Sequence, residues 1–206
     1  MEFLPGFLTS TIVVILIVIA PGPDTTLVIK NSLLKSRKDG IATTLGITLG
    51  NTIYVTLGLV GVGALIVGSP QIFSFIRYAG AFYMAYLGFQ LLRSKKKVLL
   101  ETDTKTVAGG FVASFREGLL TNLSNPKFLL FFLAFFAQFI TPGTPLYMQA
   151  LIAYQLSIVA LVWFSILTIL LTTKSVKSRI TPFLHYVELL TGVVLIGFAI
   201  FAVFGA

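Results

Sequence analysis

Apolar residues in this chain run in long, nearly unbroken stretches instead of recurring at the spacing of a half-buried helix or strand. They cover roughly 3–20, 41–68, 72–92, 128–140, 146–171 and 183–204, and a more polar helical segment over 107–122 precedes the fourth. Most of these stretches reach the roughly 20 residues needed to cross about 30 Å of hydrocarbon at about 1.5 Å per residue. None has the ten-residue alternation of a membrane barrel. The pattern predicts an all-α membrane protein with six transmembrane helices, built as a single transmembrane domain.

Two of the six spans are interrupted. Pro21-Gly22-Pro23-Asp24 breaks the first, and Asn122-Leu123-Ser124-Asn125-Pro126-Lys127 breaks the fourth. Helix breaks are costly in lipid, where a freed backbone group finds no water, so they persist where protein buries them or a cavity solvates them. Sliding the chain by 103 residues, half its 206-residue length, lays Pro23 on Pro126 and Gly40 on Gly143. Side-chain identity between the halves is otherwise low, so the repeat is one of hydropathy and breakers.

Three spans per half is an odd number, so the second half (about 104–206) must enter the membrane from the side opposite to the first (about 1–100). The expectation is two inverted three-helix repeats with broken helices 1 and 4, an architecture common among secondary transporters. The break order agrees: the apolar piece comes first in span one, and the amphipathic piece, with Arg116 and Glu117, comes first in span four. Both polar pieces then lie on one side, and the two breaks meet at one depth.

Composition adds the solvent: 56% of residues are hydrophobic and 11% charged, with a mean hydropathy of +0.97, far from the balance of a soluble domain. The net charge of +8 would suggest nucleic acid in a soluble protein, but its placement says otherwise, and no nucleic-acid partner is expected. Lys30, Lys35, Arg37, Lys38, then Arg93, Lys95, Lys96, Lys97, Lys105, Arg116, then Lys174, Lys177 and Arg179 fall in or beside alternate connections. By the positive-inside rule those connections are cytoplasmic and both termini lie outside, in a multi-pass cytoplasmic (inner) membrane protein. Glu2 stands where a signal peptide would be basic and Pro21 directly follows Ala20, so the first span is expected to be retained. Cysteine is absent, which removes thiol catalysis, disulfides and thiolate metal sites. The single histidine, His185, is read as an interfacial side chain, and Arg77 as one that snorkels.

The chemistry concentrates at the breaks. Gly22 suits an N-cap with Pro23 at the first helical position and Asp24 in the first turn; Asn125 is a stronger cap, followed by Pro126 and Lys127. An aspartate there is stabilised by the helix dipole without any function, whereas a lysine opposes that dipole and needs a partner charge or an anionic ligand. Two arrangements fit: a zwitterion with its ammonium near Asp24 and its carboxylate near Lys127, or an ion pair between the two residues alone. Asn122, Asn125 and Asn51 are further polar candidates for substrate or ion binding. Ala42, Gly46 and Gly50 recur every four residues in span two, a close-packing pattern, and such small-residue faces also permit a homodimer. Gln138 and Glu188 are weaker candidates.

The stretch Ala20-Pro-Gly-Pro-Asp24, then Asn31-Ser32, the turn ending at Gly40 and Leu45-Gly-Ile-Thr-Leu-Gly-Asn51 resembles the first half of the LysE/RhtB amino-acid exporters. Phe115 to Gly118, then Thr121-Asn-Leu-Ser-Asn-Pro-Lys127 and the Phe-rich run to Phe139, is similar to that family's second signature. Glu117 departs from the neutral or basic residue expected there. The resemblance implies efflux of amino acids or related small metabolites, driven by proton exchange, with no cofactor and no enzymatic activity. It does not choose the amino acid. A metal-ion exporter is the alternative within the class, but it would need several carboxylates, His or Cys in the spans, and no metal site is expected. A structural or sensory bundle would need no ionisable residue at a break.

Overall fold

A computed structural model describes residues 4–93, 109–140, 143–171 and 177–204. Among them all regular structure is helical: α1 Leu4–Ile19, α2 Pro23–Leu34, α3 Arg37–Gly68, α4 Pro70–Leu92, α5 Phe111–Leu123, α6 Pro126–Phe139, α7 Leu146–Leu171 and α8 Lys177–Phe204. Three of these are long and apolar enough to cross a membrane over Arg37–Gly61, Leu146–Leu171 and His185–Phe204. The pair Pro5–Ile19 and Pro23–Leu34, bent by 51° at its break, is long and apolar enough only when its two pieces are taken together.

A capping position followed by proline sets three of the eight starts. Gly22, Ser69 and Asn125 each precede a proline at the first position of α2, α4 and α6, where the missing N–H is no loss. At α3 the Ser36 hydroxyl accepts from the Asp39 N–H at 3.2 Å, so the helix starts at Arg37, four residues ahead of the apolar run. Arg37 and Lys38, assigned from the sequence to a connection, are helical. Gly40 is helical too, whereas Gly143 has φ +91° in a turn. The two glycines that superpose in the sequence slide therefore hold unrelated conformations.

The core gathers around α6. Phe131, Phe132, Phe135 and Phe136 are almost wholly buried, and Phe135, Phe139 and Phe198 carry the aromatic contact across to α8. Helix α3 packs on α5 and α7, and α4 packs on α6 and α8. The approach of α3 to α5 needs glycine on both sides. A β-carbon at Gly46 would overlap the Phe115 carbonyl, and one at Gly118 the Thr43 carbonyl. Outward faces carry large apolar side chains, including Phe75, Phe82, Ile158, Phe201 and Phe204, as a lipid solvent allows.

Candidate functional site

Both breaks open onto one cavity of about 60 Å³. Ile17, Val18 and Ala20 enter it from the end of α1, Gly22 to Thr25 from the first break, and Asn125 from the second. Asn51 on α3, Phe128 and Phe131 on α6, and Leu156, Ala160 and Phe164 on α7 complete the wall. One end is therefore polar, with a carboxylate, two amides and a hydroxyl, and the rest is aliphatic and aromatic. The volume matches a few water molecules at roughly 10–15 Å³ each, less than an amino acid occupies.

A three-residue clamp fixes the polar end. The Asn122 side-chain amide donates to Asp24 Oδ2 at 2.9 Å and to Asn51 Oδ1 at 2.8 Å, joining α5, α2 and α3. Asn122 and Asn51 are fully buried and Asp24 half-buried. Gly50 faces the Asn122 side chain at a distance no β-carbon could tolerate. Gly46 lies one turn away against α5, so the stripe of small residues seats α5 and admits Asn122, and neither glycine borders the cavity.

The freed carbonyls of both breaks find hydroxyl donors. At the first, Thr25 Oγ1 donates to Ala20 O at 3.4 Å. At the second, Tyr54 Oη donates to Leu123 O at 2.5 Å, while its ring meets Phe128 with centroids 5.7 Å apart. Asn125 caps α6, its Oδ1 accepting from the Phe128 N–H at 3.4 Å. Pro21, Gly22, Pro23 and Pro126 sit at the breaks as the sequence places them. Lys127 belongs to the first turn of α6, and its side chain lies outside the described residues.

Sequence reasoning missed Tyr54, Thr25, Phe128, Phe131 and Phe164. Tyr54 follows Asn51 by three residues and so shares its helix face, a signal that was available. The aromatic wall was not, because a Phe-rich run reads as core whichever face meets a cavity.

On the side that carries the basic connections, a second polar cluster ties α2 and α3 to α5. Lys35 Nζ meets Glu117 at 2.9 Å, and the Asn31 amide donates to Glu117 at 2.9 Å and to Thr43 at 2.8 Å. The unexpected Glu117 thus has its counter-charge across the helix interface. Asp39 caps α5 from outside, accepting from the Gly110 N–H at 2.8 Å and the Ser114 hydroxyl at 2.9 Å. Arg77 does more than snorkel: it donates to Gln138 Oε1 at 3.4 Å, and Gln138 returns a bond to its carbonyl at 2.7 Å. His185 lies 3.6 Å from Glu188. No group of three metal-ligating side chains occurs among the described residues.

The family model of the LysE type translocators matches residues 15–205. A protein of Salmonella typhimurium named as a leucine efflux protein is 38% identical over 140 residues, 68% of this chain and 66% of that protein, just under two thirds of its length. A leucine efflux protein of Klebsiella pneumoniae is 32% identical over 201 residues, 94% of this chain and 92% of that one. An uncharacterized membrane protein of Bacillus subtilis is 31% identical over 193 residues, 90% and 92% of the two chains. No solved structure matches the chain. With both helix breaks inside the matched region, the chain belongs to the LysE type translocator family, whose members are membrane transporters and not enzymes.

Proposed function

We propose that the chain is a secondary exporter of neutral amino acids with apolar side chains, moving them out across the cytoplasmic membrane in exchange for protons. The observation that carries this reading is the division of the cavity at the two breaks. Asp24, Asn51 and Asn125 cluster beside the N-terminal ends of α2 and α6, and Ile17, Val18, Phe128, Phe131, Leu156 and Phe164 form the remaining wall. A zwitterion has a polar end that such groups hold and, for a branched or aromatic residue, an apolar end that the wall receives. The helix N-termini favour the carboxylate, with Lys127 in the first turn of α6; Asp24 takes the ammonium, or a proton when no substrate is bound. Asn122 positions Asp24 through their hydrogen bond. The names of the Salmonella and Klebsiella relatives favour leucine as the first substrate to try.

In this reading α1–α2 and α5–α6 are the broken first and fourth of six spans, arranged as two inverted repeats with both termini outside. Support comes from the packing of α3 on α7 and of α4 on α8, the pairs that equivalent helices of the two repeats would form about a shared axis. The test is counterflow in proteoliposomes under an imposed pH gradient, with labelled leucine, valine, phenylalanine and lysine. Gradient-dependent exchange of the apolar amino acids, lost in Asp24→Asn and in Lys127→Ala, is the expected result. Exchange of lysine alone, or wild-type exchange by both variants, would overturn the assignment.

A further inference from the structure

Alternating access in a transporter made of two repeats is readily pictured as one repeat rocking on the other. The packing of this chain argues for a different division. Resting on the exporter reading, we propose that α4, α6 and α8 move as one unit against a frame of α1, α2, α3, α5 and α7, with Asn125, Phe128 and Phe131 as the moving wall of the site.

The tightest helix contacts cross between the repeats. Gly46 and Gly118 bring α3 and α5 into backbone contact. Gly88 and Gly192 do the same for α4 and α8, where an added β-carbon would stand 2.7 Å from the Gly192 carbonyl or 2.8 Å from that of Gly88. At Gly80 it would stand 2.7 Å from the Ala134 Cα, joining α4 to α6. Backbone-to-backbone contacts have no side chain that can change rotamer to let the helices slide, so each such pair moves as a body. Since α3–α5, α4–α8 and α4–α6 each take one helix from either repeat, the repeats are not the rigid bodies.

Most side-chain polar contacts between helices follow the same division. Within the frame, Thr52 meets Ser157 at 3.2 Å, Ser32 meets Thr168 at 3.2 Å and Gln155 meets Ser10 at 2.7 Å. Within the other unit, Arg77 and Gln138 exchange two bonds, and Phe139 stacks on Phe198 with centroids 4.9 Å apart. Contacts between the units run through side chains. Phe132 lays its ring over Gly58, Phe128 lies beside Tyr54, and Thr191 reaches the Leu16 carbonyl at 3.1 Å. The chain passes between the units at every connection from α3 onward, and the crossings at Ser69 and at Ser124–Asn125 are short non-helical joints. The cavity lies on this seam: the frame supplies Asp24, Asn51 and Leu156, and the other unit supplies Asn125, Phe128 and Phe131. A cavity of about 60 Å³ must widen to take an amino acid, and a seam between rigid units is where packed helices shear at least cost.

Absence of native cysteine makes paired cysteines a clean test. T52C/S157C ties α3 to α7, R77C/Q138C ties α4 to α6, and L16C/T191C ties α1 to α8. Each pair spans the two repeats, but only the last spans the seam. The first and last are closed by oxidation and the second by a short bis-methanethiosulfonate reagent, and amino-acid counterflow is compared before and after. We expect rates within about twofold for the first two and at least a tenfold loss for L16C/T191C, restored by reductant. Loss in all three would mean that the repeats move, and loss in none that the seam does not; either overturns the proposal. Should reduced protein exchange no amino acid, the exporter reading fails by itself, and spin-label distances in nanodiscs still decide the motion. A single distance for Ile158 with Phe75 at every pH tried would count against the seam, whereas two distances there, with one each for Val112–Ile158 and Phe75–Tyr186, support it.

Discussion

Replacing Asn122 with leucine keeps roughly the volume of the side chain and removes both of its donor bonds, to Asp24 Oδ2 at 2.9 Å and to Asn51 Oδ1 at 2.8 Å. A hydrogen bond to a charged acceptor contributes about 1.5–3 kcal/mol and a neutral one about 0.5–1.5. Membrane-embedded pairs average lower, about 0.6 kcal/mol, because the unfolded reference in lipid also finds partners. The site is lined by α1, α6 and α7, and the polar groups left behind are buried, so a total loss of about 2–4 kcal/mol is expected. Reversible unfolding in mixed micelles, titrated with denaturing detergent, gives that number. A double-mutant cycle with Asp24→Ala isolates the carboxylate bond, for which a coupling of about 1.5–3 kcal/mol is expected. Counterflow by Asn122→Leu should fall along with stability, while Asn122→Gln, with a longer donor arm, should keep part of it. A coupling under about 0.3 kcal/mol would refute the reasoning, for it would mean that Asn122 and Asp24 make no bond that matters in the membrane.

At Gly46, alanine forces the Phe115 carbonyl away and should cost about 1–3 kcal/mol. The same substitution at Gly197, where nothing lies within 4 Å, should be neutral or gain up to about 1 kcal/mol from helix propensity; equal melting of the two variants would contradict the α3–α5 contact. Tyr54→Phe retains the ring contact with Phe128 and removes only the donor to the Leu123 carbonyl. A stability loss of about 0.5–2 kcal/mol is expected from detergent unfolding, and a value indistinguishable from wild type would mean that another group serves the freed carbonyl.

How far the site was legible in the sequence depended on the range of the interactions behind it. Asp24, Asn51, Asn122 and Asn125 stood out because polar side chains in apolar spans, beside proline breaks, are rare for a general energetic reason. What Asn122 binds could not be read, since Asp24 lies 98 residues away and Asn51 71 residues away along the chain. Gly46 and Gly50 were legible as small and therefore as packing positions, but their partners on α5 were not. The pairing of Glu117 with Lys35 is likewise set by how α5 lies across α2 and α3, so the sequence shows only an acidic residue out of pattern.

The order of amino acids alone was enough to read the solvent, the helical class, the number and position of the helix breaks, and the residues that stand there. These follow from local quantities: the hydropathy of a stretch, the missing N–H of proline and the capping preference of Asn and Gly. The three-dimensional packing was needed to show that the two breaks share one cavity, that an apolar wall of Phe128, Phe131, Leu156 and Phe164 closes it, and that the closest helix contacts join the first half of the chain to the second. Those outcomes depend on which helix faces meet, and in a chain that is apolar almost all round each helix, periodicity cannot single out the facing side. Backbone approach at the glycines settles it instead.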